Sequence, residues 1–91
     1  MTDRRITRIL YSSHFERALR AVRDEHHMII DEREKMFRSN CFHPLLKTHK
    51  LRGKLQKYWS FSITHSHRIM FEFLDSHSVA FIDIGDHAIY K

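Results

Sequence analysis

Residues 5–11, RITRILY, are dense in β-branched and aromatic side chains that fit a pleated backbone, and they predict a short first strand. Ser12 and Ser13 end it. Ser13 and Glu16 have the spacing of a capping box, in which hydroxyl and carboxylate each take up an N–H left over at a helix start. Phe15, Ala18, Leu19 and Val22 follow at intervals of three and four residues, which makes one apolar stripe on a helix. A second helix is expected over about 27–40, anchored by Ile29, Ile30, Met36 and Phe37 and wholly charged at 31–35. His43 and Pro44 close the helical region, because the residue before a proline disfavours helical backbone.

From Tyr58 onward the period becomes two. Trp59, Phe61 and Ile63 alternate with Tyr58, Ser60, Ser62 and Thr64, as in a half-buried strand. Ile69, Phe71 and Phe73 repeat the pattern against Arg68, Met70 and Glu72, with residues 64–67 short enough for a hairpin. A turn at 75–78 leads to VAFIDI (79–84), apolar almost throughout as a central strand is, and Gly85 ends it. The expected order is β-α-α-β-β-β. Residues 1–91 then make a single small α+β domain, two helices packed on one face of a mainly antiparallel four-stranded sheet.

Composition narrows the function classes. Hydrophobic residues are 42% of the 91, enough for one core, and with only 2 Gly and 1 Pro no long linker is expected. The lone cysteine, Cys41, excludes an internal disulfide framework, suits a reducing cytoplasm and reads as packing. No long apolar run follows Asp3, Arg4 and Arg5, so neither a signal peptide nor a membrane span is expected. The formal charge is +5 and is strongly segregated. Residues 1–34 carry seven basic and seven acidic side chains, and residues 72–91 sum to −3. Between them, residues 35–71 hold eight Lys or Arg and no acid. Such a block fits a polyanion partner, since phosphate neutralisation releases counterions, although a solvated basic surface has the same composition.

No phosphate-cradling glycine loop, nucleophile elbow or paired-cysteine metal site is present. Histidine, arginine and lysine near strand ends remain. Metal-independent RNA cleavage needs a base for the ribose 2′-hydroxyl, an acid for the leaving 5′-oxygen and a cation for the charge on phosphorus. Histidine suits either proton role and arginine the third. His49 in the basic block, Arg68 opening the second hairpin strand and His87 after the last strand supply these types. Nine histidines mean that several are incidental, and His14, His26, His27 and His77 read as surface or turn residues. His65 and His67 alone make an incomplete metal site, so neither metal nor cofactor is expected.

Three stretches, HPLLKTHKLRGKLQKYWSFSI (43–63), HRIMFEF (67–73) and FIDIGDHAIY (81–90), together resemble the RelE/YoeB/YafQ superfamily of bacterial toxins. The resemblance implies a ribosome-dependent mRNA endonuclease, encoded beside a cognate antitoxin and monomeric or homodimeric when free. It implies His49 as base, Arg68 as phosphate-binding cation, His87 as acid and Tyr90 as a substrate contact. Lys47, Lys50, Arg52, Lys54 and Lys57 are expected to meet RNA phosphates or the ribosome. Ser62, Asp83 and the pair Ser66-His67 depart from the YafQ-like pattern, where a histidine, an arginine and an Asp-Trp pair stand. Two other functions share the fold class: a ParE-like inhibitor of DNA gyrase that cuts nothing, and an RNA-binding relative whose catalysis has decayed.

Overall fold

The helical stripe that begins at Phe15 does not stop at Val22. Positions 15, 18, 19, 22, 26, 29, 30, 33 and 37 all fall on one side of a 3.6-residue wheel. The computed structural model, which describes residues 3–86 and Ile89, accordingly has one helix of 27 residues, α1 (Ser13–Ser39), where two were expected. Residues 23–27 contain no glycine or proline. Their charge thins the apolar stripe but leaves the hydrogen-bond ladder intact, so nothing divides the helix. Its cap is also one residue earlier than expected: the Ser12 hydroxyl accepts from Phe15 N–H at 2.9 Å, and Glu16 lies in the first turn, where a carboxylate favours the helix dipole. At the other end Asn40 adopts extended backbone, and its side-chain oxygen accepts from the N–H groups of Arg4 and Phe42, 3.0 Å each.

Among the described residues five strands form the sheet, one more than expected: β1 (Arg8–Tyr11), β2 (His49–Lys50), β3 (Trp59–Ser62), β4 (Arg68–Phe73) and β5 (Ser78–Gly85). Their spatial order is β1-β5-β4-β3-β2, with β1 parallel to β5 and the other pairs antiparallel. The additional strand is β2, only two residues long and held between turns at Pro44–Leu46 and Gly53–Leu55. The first strand starts later than expected because Ile6 donates to Arg38 O at 2.9 Å, tying that stretch to the helix end.

One sheet face packs against α1. Phe37, fully buried, stacks on Phe61 at 4.4 Å between ring centroids and meets Phe71 and Phe81 edge-on at 5.0 and 5.5 Å. Offset and edge-to-face pairs of this kind add to simple burial. Phe15 and Tyr11 close one end of this layer on Phe81, while Trp59, Phe42 and Phe73 close the other under the Arg4 guanidinium. Cys41 is buried in the same core, and burial pushes its thiol up to about 11 despite the nearby Arg4 charge, consistent with packing. Between Met70 and Phe71 the β4–β5 register slips by one: Met70 faces Asp83 but Phe71 faces Phe81. The bulge at Ile82 lets both Phe81 and Ile84 point into the core although they are three apart. Among the described residues, no helix is long and apolar enough to cross a membrane.

Candidate active site

Residues directly opposite each other in paired strands share a sheet face. The register therefore builds the face away from α1 as rows of side chains. One row runs His49, Ser60, Met70, Asp83; the next runs Ser62, Arg68, Gly85. His49 and Arg68, distant in sequence, thus stand in adjacent rows on one face. Two strand spacings and one two-residue step put their Cα atoms about 12 Å apart, a gap that a histidine and an arginine can bridge around one phosphodiester. The centre of this face is not solvated: Ser60 is 1% exposed and Met70 6%, although the alternation placed both on the polar side. They form a floor beneath His49 and Arg68.

His49 is exposed, and its orientation comes from the turn before it. Lys47 adopts left-handed backbone (φ 51°, ψ 39°) after the Pro44–Leu46 turn, a conformation that costs a non-glycine residue about 1–2 kcal/mol. Its carbonyl oxygen lies 2.9 Å from His49 Nδ1. A carbonyl only accepts, so Nδ1 carries the proton and Nε2 of the neutral ring keeps its lone pair. This is the tautomer a general base requires. Thr48, between them, donates its hydroxyl to Cys41 O and fixes the turn to the core.

Arg68 is half-buried at the start of β4. Opposite it, Gly85 has a steric role: a Cβ there would lie 2.7 Å from Ile89 Cγ2, so any larger residue forces the Ile89 side chain to shift. His87 and Tyr90 lie outside the described residues.

The basic residues are dispersed around this face. Lys47, Lys50, Arg52, Lys54 and Lys57 are all exposed. Lys50 pairs with Trp59, and the alternation of β2 directs it to the face opposite His49. Arg52 and Lys54 flank Gly53, whose φ of +67° makes the turn beyond β2, and the Lys57 ammonium lies 5.2 Å from the Tyr58 ring centroid. Sequence reasoning missed one neighbour of the site, because no local pattern marks it. His14, read as incidental, brings Nε2 to 3.1 Å from Asp83 Oδ1, in the row of His49. The pair His65 and His67 does not share a strand: both lie in the β3–β4 connection, and His67 meets the His26 ring at 4.7 Å. Among the described residues no cluster of three or more metal-ligating side chains occurs.

No family model matches the sequence, and no curated protein matches it. Solved structures do match. YafQ from E. coli is 16% identical, with 90% of this chain and 94% of that chain covered at a TM-score of 0.76. The toxin chain of the E. coli DinJ–YafQ toxin–antitoxin complex is 17% identical, covered at 97% on both sides with a TM-score of 0.72. A YoeB/ParE toxin from Agrobacterium tumefaciens is 18% identical, with 89% and 99% covered at a TM-score of 0.71. The chain therefore has the fold of the YafQ and YoeB toxins.

Proposed function

We propose that this chain is the toxin of a type II toxin–antitoxin pair and that it cuts messenger RNA on the ribosome, without a metal in the chemical step. One observation carries the reading: His49, with Nε2 left as an acceptor, and Arg68 rise from neighbouring rows of the same sheet face. In this mechanism Nε2 of His49 takes the proton of a ribose 2′-hydroxyl, and the oxygen attacks the adjacent phosphorus. Arg68 stabilises the charge of the five-coordinate phosphate, where its fork is worth most. His87 protonates the leaving 5′-oxygen, and Tyr90 contacts the substrate. The exposed Lys47, Lys50, Arg52, Lys54 and Lys57 supply affinity for the polyanion.

The fold alone leaves the gyrase-inhibitor reading standing beside the nuclease, since one fold hosts both activities. The His49–Arg68 arrangement favours the nuclease because an inhibitor has no use for an acceptor nitrogen opposed to a cation. The complexed YafQ relative supports an antitoxin partner, which is expected to occlude the His49–Arg68 face.

Single-turnover cleavage on pre-formed ribosome complexes tests the reading. Wild type is expected to leave a 2′,3′-cyclic phosphate, and His49→Ala, Arg68→Ala and His87→Ala each to slow the step by roughly 10²–10⁴-fold with binding nearly intact. Wild-type rates in all three variants overturn the site. Inhibition of gyrase supercoiling with no cleavage by wild type overturns the nuclease.

A further inference from the structure

The inward stripe of α1 is apolar except at positions 26 and 33. His26 is met by the His67 ring. Arg33 lies at the sheet margin, 22% exposed, with Nη1 2.7 Å from Oε1 of Glu32, whose side chain is 64% exposed. A guanidinium has five donor hydrogens, and one solvent-facing carboxylate uses only part of that capacity. Surface pairs of this kind are worth about 0–1 kcal/mol and exchange readily for a better anion.

Arg33 borders an open cleft of about 310 Å³, together with Lys47, His65, Ser62, Thr64 and Leu45. The cleft exists because β2 starts late. The register that sets His49 opposite Ser60 would continue with Lys47 opposite Ser62, but the left-handed turn at Lys47 takes the chain away from β3. A notch remains in the sheet edge, with two cations, a histidine, two hydroxyls and no acid in its lining.

We propose that this cleft is a subsite for a nucleotide flanking the scissile one. Its phosphate lies between Arg33 and Lys47, so that a single RNA strand leaves the His49–Arg68 face round the edge of β3. The proposal rests on the RNA reading above and extends it. Three features favour a nucleotide over an acidic peptide. Ser62 borders both the cleft and the row of Arg68, so the two sites are continuous. Lys47 lines the cleft with its side chain's residue and anchors His49 through its carbonyl. Leu45, 59% exposed, offers an apolar surface for a base or ribose beside the cations.

The test is binding of non-cleavable 2′-O-methyl RNA by fluorescence anisotropy across a salt series, with a two-nucleotide and a five-nucleotide probe. Arg33→Ala is expected to weaken the longer probe by roughly tenfold and to flatten its salt slope by about 0.7, the value of one phosphate contact on a single strand. The shorter probe should be unaffected, and Arg33→Lys should restore the slope. Arg33→Gln, which keeps the unbranched stem as far as Cδ but removes the charge, serves if the alanine variant melts early. A five-nucleotide affinity and slope equal to wild type in a folded Arg33 variant overturns the subsite. So does a variant that loses only an acidic peptide, which assigns the cleft to a protein partner. If wild-type protein binds neither probe, free or presented on a pre-formed ribosome complex, the RNA reading fails first and the subsite falls with it, a result distinct from a defect confined to the variant.

Discussion

Phe37→Ala removes the side chain on which helix and sheet are joined. The ring is fully buried and touches Phe61, Phe71 and Phe81, one residue from each of three adjacent strands. Truncating a buried phenylalanine costs about 3–5 kcal/mol, from lost transfer energy and the cavity left behind. Here the upper end applies, about 4–5 kcal/mol, because three aromatic contacts go together and long α1 has little freedom to settle into the space. A domain of 91 residues has about 5–14 kcal/mol in all, at ~0.05–0.15 kcal/mol per residue. The variant is thus expected to lose about a third or more of that stability. In a urea titration followed by far-UV circular dichroism, an m of about 1.5 kcal/mol/M translates this into a midpoint lower by about 3 M. Phe37→Leu, which retains most of the volume, should lose only about 1–2 kcal/mol. Met28→Ala, at a helix position 76% exposed, should stay within about 0.5 kcal/mol of wild type. A loss under about 2 kcal/mol for Phe37→Ala with m unchanged would refute the idea that this ring joins helix to sheet.

Three further outcomes follow from particular groups. Cys41, buried and with its thiol raised to about 11, should resist a thiol reagent at pH 8 in the native protein and react once urea unfolds it; rapid native labelling would contradict its packing role. The Asp75 carboxylate is held below its ordinary range chiefly by the His77 N–H at 2.8 Å, so its stabilisation is present above the unfolded value of about 3.9 and is lost as pH falls through the lower folded one. The melting-temperature gap between wild type and Asp75→Ala should therefore be present at pH 6 and close in strong acid; a gap that widened in acid would reverse the assignment. Gly85→Ala forces Cβ against Ile89 and should cost about 1–3 kcal/mol in chemical denaturation, whereas a neutral result would mean that Ile89 does not close on the strand.

The elements with a strong period were legible in the sequence. Alternation at 59–63 and 69–73 marked β3 and β4, and the stripe from Phe15 marked the start of α1. Those that depend on distant partners were not. β2 has no pattern of its own: two residues become a strand only because Lys47 turns left-handed and Leu51 N–H reaches Tyr58 O at 3.0 Å. The second helix was misread as separate because a charged turn interrupts an apolar stripe without interrupting a helix. Ser60 looked solvent-facing since alternation reports which face a residue takes and says nothing of what covers that face. His49 and Arg68 were singled out by residue type and resemblance, but their shared face follows only from strand register. The His14–Asp83 contact, across most of the chain, left no local trace at all.

The position of β5 at the heart of the sheet sets the order in which the molecule can assemble. β5 is the last of the five strands in sequence, yet it lies between β1 and β4. Until it is made, β1 has no strand to pair with, and only the β2–β3–β4 meander can form. The pairing of β1 with β5 spans about seventy residues, the kind of long-range contact that slows folding. Synthesis proceeds from the N-terminus at roughly 5–20 residues per second, so a growing chain spends seconds with α1's apolar stripe lacking most of its sheet. Such a chain has no completed His49–Arg68 face above a packed floor, and it exposes apolar surface that a chaperone or binding partner can take. The His49–Arg68 face is thus completed late and all at once, with the closing of the last strand.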